Sequence, residues 1–174
     1  MKKMIALLTL LCVALAPFAV TAENVITWDD VSAVVEASGL GGDFYALDEL
    51  GLAIWLPDGL EFVEVSEEDA AEGYLYVATD DEETCLFTID AVNVEGITLD
   101  GVLESAVAAG MFEPEIGTIN GLSAVSYKDE ANNAGCIVLV DTNCNVITFT
   151  FMPIDAENAE LLFGLIGASL MPLE

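Results

Sequence analysis

From Trp28 onward two apolar spacings alternate along the chain, and the switches between them outline its elements. Trp28, Val31, Val34 and Val35 recur at the three- and four-residue spacing of one helix face, with Thr27 before them and Asp29 and Asp30 in the first turn. The pattern predicts a helix over 28–38, stopped by the glycines at 39, 41 and 42. Residues 44–47 and 52–56 read as short strands, the second closed by Pro57-Asp58-Gly59. Ser66 ahead of Glu67-Glu68-Asp69 starts one helical turn, and strands follow over 74–79 and 84–92. The acidic run Asp80-Asp81-Glu82-Glu83 forms the turn between those two strands. It lacks the alternating acids and fixed glycine of a calcium loop, which favours a solvated hairpin tip over a cation site.

A second helix is predicted over 98–109, its buried stripe made by Leu99, Val102, Leu103, Ala106 and Val107 and its end by Gly110. Strands over 116–119 and 122–128 are joined by Asn120-Gly121, the dipeptide best suited to a two-residue hairpin because both positions accept positive φ. Residues 136–140 turn back into 146–151, where Ile147, Phe149 and Phe151 share one face and Val146, Thr148 and Thr150 the other. Asp155 is the expected cap of a closing helix, with Leu161, Leu162, Leu165, Ile166 and Leu170 toward the sheet and Gly164 and Ala168 allowing close approach. This is an α+β pattern: a central, mainly antiparallel sheet with helices packed on it.

The order of these features resembles the Mog1/PsbP-like superfamily over 52–170. The resemblance rests on a strand ending in Pro57-Asp58-Gly59, a middle helix, and Ile119-Asn120-Gly121 leading into a strand. A Thr/Phe-rich strand and a terminal helix ending Ala168-Ser169-Leu170 complete it. It implies an α/β/α sandwich with helices on both faces of the sheet. Relatives in that superfamily are mostly accessory or binding proteins: extrinsic photosystem subunits, Ran-binding factors and secreted bacterial proteins of unknown role. The shared motifs are turns and caps, so the resemblance carries no catalytic residue onto this chain.

Ahead of the folded region, Met1-Lys2-Lys3 is a positive start, 4–20 is apolar, and Val20-Thr21-Ala22 puts small residues before polar Glu23. That is the layout of a secretory signal peptide over 1–22, leaving one secreted α+β domain over 23–174. A membrane anchor is the competing reading. It is disfavoured because the apolar run, about 17 residues, sits at the bottom of the spanning range and no basic cluster follows. Cys12, preceded by Leu11 in mid-run, does not fit a lipid-attachment cysteine.

Charge narrows the chemistry more than any motif does. The 174 residues hold 31 acidic side chains against 3 basic ones, with no histidine. There is no arginine, and beyond the leader the only lysine is Lys128. No imidazole means no Ser-His-Asp or Cys-His pair, no histidine-bound zinc and no histidine switch. No guanidinium means no bidentate clamp for phosphate or carboxylate. A formal charge of −28 repels nucleic acid and anionic lipid, and admits cationic or neutral partners. With 55% hydrophobic residues the chain still has ample material for a core.

Beyond the leader the cysteines are Cys85, Cys136 and Cys144. An odd number permits at most one internal disulfide. Cys85 with Cys136 is the better pair if their strands are neighbours, and three free thiols is the alternative.

Two function classes survive. The first is a non-catalytic binding or accessory module, with no catalytic, cofactor or metal residue assigned. For it, exposed aromatics such as Trp55, Tyr74 or Tyr76 would form a ligand platform, although such rings are more often core. The second is a small extracellular hydrolase using paired carboxylates, which needs two acids held in a cleft with one pKa raised. A serine nucleophile would have to draw on Lys128, with Ser126 two residues away on the same strand face.

Overall fold

The computed structural model describes residues 25–173, apart from 83 and 157. The leader expected over 1–22, with Cys12, lies outside the described residues. In chain order the elements are β1 (Val25–Ile26), α1 (Trp28–Ser38), β2 (Gly42–Leu47), β3 (Leu52–Pro57), β4 (Glu61–Val63), α2 (Glu67–Glu72), β5 (Tyr74–Thr79) and β6 (Leu86–Asn93). They continue with α3 (Leu99–Ala108), β7 (Phe112–Ile119), β8 (Leu122–Asp129), β9 (Ala134–Val140), β10 (Asn145–Met152), α4 (Ala159–Ala168) and β11 (Met171–Pro172).

Strict alternation along β10 sets the orientation of the main sheet. Ile147, Phe149 and Phe151 are buried, while Val146, Thr148 and Thr150 are half-buried on the other face. The eight strands run β1-β7-β8-β9-β10-β6-β5-β4, antiparallel throughout except for the β1–β7 pair. Both residues of the β7–β8 turn have positive φ, 46° at Asn120 and 85° at Gly121, as the two-residue hairpin demands.

The strands over 42–57 do not join that sheet. β2 and β3 form a separate three-stranded sheet with β11, in the order β11-β3-β2. The reason lies in the continuous apolar run Leu52-Ala53-Ile54-Trp55-Leu56, which needs cover on both faces. Ile54 and Leu56 enter the main core with Phe87, Ile89, Phe149 and Phe151, whereas Trp55 belongs to a second cluster with Val31, Val35, Leu165 and Ala168. The small sheet and α4 therefore cover the inner face of the large sheet, and α1 packs on α4 from outside. On the opposite face α3 lies over β7, β8 and β9, where Val125 and Val138 are buried.

Local chemistry explains most helix ends. The Asp30 carboxylate accepts from the Thr27 N–H at 3.2 Å and hydroxyl at 2.6 Å, and Ser66 and Thr98 cap α2 and α3 by accepting from the Asp69 and Gly101 amides, both at 3.1 Å. Two expectations are corrected here. Asp155 does not cap the last helix: α4 begins at Ala159 after Asn158 in the left-handed region, and Asp155, between β10 and α4, is held instead by the side chain of Asn133 in the β8–β9 turn. Val107, counted into the stripe of α3, is exposed, because it sits at the flank of the face that Leu99, Val102, Leu103 and fully buried Ala106 turn inward.

The close approach in α4 comes at Gly167, where an added Cβ would collide with the Ile137 side chain. Cys85, Cys136 and Cys144 are all free thiols. The pairing of Cys85 with Cys136 fails because β10 lies between their strands, and Cys136 faces Thr150.

Candidate functional site

Two surface regions combine functional side chains with incomplete cover. The first is the part of the large sheet's outer face that α3 does not reach. Direct cross-strand neighbours give one row of Tyr127, Cys136, Thr150 and Thr88 over β8, β9, β10 and β6, and an adjoining row of Thr148, Asp90 and Tyr74 that runs from buried Val138 out to β5. The Cys136 Sγ lies 3.9 Å from Thr150 Oγ1. Burial pushes up the Tyr127 hydroxyl, the Cys136 thiol and the Asp90 carboxyl, the last opposed by a hydrogen bond from Thr148. A thiol with a raised pKa stays protonated at neutral pH and is a poor nucleophile. Asp90 owes its shift to burial and not to a neighbouring acid, so it is not half of a coupled carboxylate pair.

The second region is an aromatic corner where α1 meets the small sheet. The Trp28 ring lies 5.3 Å from Phe44 in an edge-to-face contact and 5.7 Å from Trp55. Trp55 is buried, Trp28 is half-buried and Phe44 is 46% exposed. Gly42 is required beneath this cluster, because a Cβ there would stand 2.5 Å from the Trp55 ring. Phe44 and Trp55 are register partners on β2 and β3.

The residues singled out in the sequence are dispersed. Trp55 is core; Tyr76 packs on Phe62 at 5.6 Å, which itself meets Tyr45 at 5.4 Å, so neither residue forms an open platform. Lys128 Nζ donates to Glu160 Oε1 on α4 at 2.5 Å and is not engaged with Ser126. In the acidic turn the Asp80 carboxylate accepts from the Thr84 N–H at 2.6 Å, the Thr84 hydroxyl at 2.5 Å and the Cys85 N–H at 3.1 Å, which lowers its pKa and closes the hairpin tip. No group of three or more acid or cysteine ligands converges for a metal among the described residues. The aromatic corner was missed because Trp28 fits a helix stripe and Phe44 a strand; the phase of Phe44, opposite half-buried Tyr45 and buried Leu47 in a strand, was the available signal.

No protein-family model matches the chain, and no curated protein does. Among solved structures, the cyanobacterial PsbP (CyanoP) from Synechocystis superposes with a TM-score of 0.55 at 14% identity, over 75% of this chain and 92% of that one. A protein of Bacteroides thetaiotaomicron matches with a TM-score of 0.48 at 12% identity, over 76% of this chain and 49% of that one. The chain has a Mog1/PsbP-like α+β fold, and the likeness is one of fold alone. No helix among the described residues is long and apolar enough to cross a membrane.

Proposed function

We propose that the chain is a secreted, non-catalytic binding or accessory module whose partners are cationic or neutral. The observation that carries the reading is the state of its one cation among the described residues: Lys128 is spent on Glu160, so the surface offers anionic groups and little to attract an anion. At a formal charge of −28 such a surface concentrates cations and opposes the approach of nucleic acid. Binding of a lysine-rich peptide, with none to a polyanion, is the expected result. That binding should weaken steeply as the screening length falls from about 10 Å at 0.1 M salt to about 3 Å at 1 M. Salt-independent binding would remove the electrostatic part of the reading. Turnover of a glycoside or peptide, lost in a folded Asp90→Asn variant, would replace it with a carboxylate hydrolase.

Export is part of the same proposal and rests on the positive, apolar and small-residue segments of 1–22. Protein recovered from the medium should have an intact mass beginning at Glu23. Retention in the cell with the first 22 residues still attached would contradict it.

A further inference from the structure

We infer that the free edge of β2 is a docking strand for an extended cationic segment, which pairs with the backbone beside Phe44 and Ala46 and lays a lysine or arginine over the Trp28–Phe44 pair. The inference rests on the binding-module reading above and gives it a location. The first ground is the contrast among the four sheet edges. β1 and β11 are two residues long, the latter ending in Pro172, and β4 is three. These are blunted in the usual way. β2 is six residues long and presents Phe44 to solvent.

The second ground is the direction of its backbone groups. The Trp55 N–H is spent on Ser169 Oγ at 2.8 Å, on the side of β3 away from β2. Phe44, the register partner of Trp55, therefore sits at a non-hydrogen-bonded position of the β2–β3 ladder, and so does Ala46 two residues on. Their N–H and C=O groups point outward along the edge and meet no strand among the described residues, which leaves them for another strand.

Charge then selects the occupant. Asp43 lies on the strand itself, Asp48 and Glu49 in the turn after it, Asp58 against Gly41 at its start, and Asp29 beside Trp28. A second copy of this chain would bring the same acids and a formal charge of −28 against them. An extended lysine- or arginine-bearing segment meets opposite charge, and exposed aromatic faces attract such cations further.

The test uses a peptide of alternating lysine and threonine, and a control peptide of the same charge with its strand-forming amides N-methylated. Titration into the protein should perturb tryptophan fluorescence. It should also slow hydrogen exchange of the Phe44 and Ala46 amides by about tenfold or more. The N-methylated control should bind at least about tenfold more weakly. Ala46→Pro removes an amide that the β2–β3 ladder does not use, so it should leave the fold intact and cut binding by a similar factor. Phe44→Ser, which keeps every backbone group, should weaken binding and abolish the fluorescence change. Binding that leaves these amides unprotected and survives both variants would overturn the docking strand while leaving the binding-module reading in place. Absence of any binding at low salt would overturn both. Dimerisation of the protein alone, lost in Ala46→Pro, would assign the edge to a second copy and overturn the proposal.

Discussion

Asn120 does more for the fold than its place in a tight turn suggests. Its Oδ1 accepts from the Trp28 N–H at 2.6 Å, its Nδ2 donates to the carbonyls of Ala168 at 2.8 Å and Leu170 at 2.7 Å, and its own N–H donates to Ile26 at 2.8 Å. Asn120→Gly keeps the left-handed backbone but removes the three side-chain bonds, and should cost about 1–3 kcal/mol in denaturant unfolding. Asn120→Ala loses the same bonds while keeping at φ 46° the Cβ that glycine would remove, and should cost more than Asn120→Gly. Asp90 is the opposite case. Burial raises its folded pKa, so the folded state binds its proton more tightly than the unfolded chain does, and stability is lost as pH climbs from the ordinary aspartate value to the raised one. Asp90→Asn should accordingly raise Tm at neutral pH, with the gain vanishing below pH ~4. An equal gain at both pH values would locate the effect outside the carboxyl's titration.

Among the elements, β10 anchors the core through Phe149, which is 1% exposed. Phe149→Ala should cost about 3–5 kcal/mol, and a loss under about 1 kcal/mol would mean that the ring is not enclosed. Gly167→Ala drives a methyl into Ile137 and should cost about 1–3 kcal/mol by overpacking. How legible an element was in the chain follows its length and chemistry. α1, α3, β8 and β10 are long enough for their period to show, and Thr27, Thr98 and Asn120-Gly121 mark ends that the structure reproduces. β1, β4 and β11 were not foreseen, because two or three residues carry no periodicity, and β1 and β11 also owe their pairing to partners far away in sequence. The start of β7 was hidden by Glu113 at positive φ, Pro114 and the bulge between Phe112 and Glu115. The split into two sheets was equally invisible, since local patterning shows which residues of β3 are buried and not which layer covers them. The same limit hid the aromatic corner, whose three rings come from α1, β2 and β3.

At the scale of the whole molecule, self-repulsion sets the response to solvent. Added salt should raise Tm as it screens a formal charge of −28. The pH profile should pass through a maximum near pH ~4, because two windows meet there. Above it, the raised Asp90 and the net charge cost stability as pH rises. Below it, Asp80 and Asp141, whose pKa values are lowered by the amides and side chains donating to them, lose that contribution as pH falls through their folded values. Thermal melts across pH 3 to 8 in dilute protein test the shape, and a monotonic rise toward neutral pH would contradict it.

The tether of β3 to residues 169–172 also bears on the order of folding. Trp55 gives its amide to Ser169, 114 residues later, and Ala53 pairs with Met171. Phe44, Trp55 and the rest of the small sheet thus wait, through synthesis of the whole intervening chain, for partners made more than a hundred residues later. A ribosome-bound chain lacking those residues can form hairpins but not the small sheet, so closure is a late, long-range event with the slow kinetics of non-local contacts.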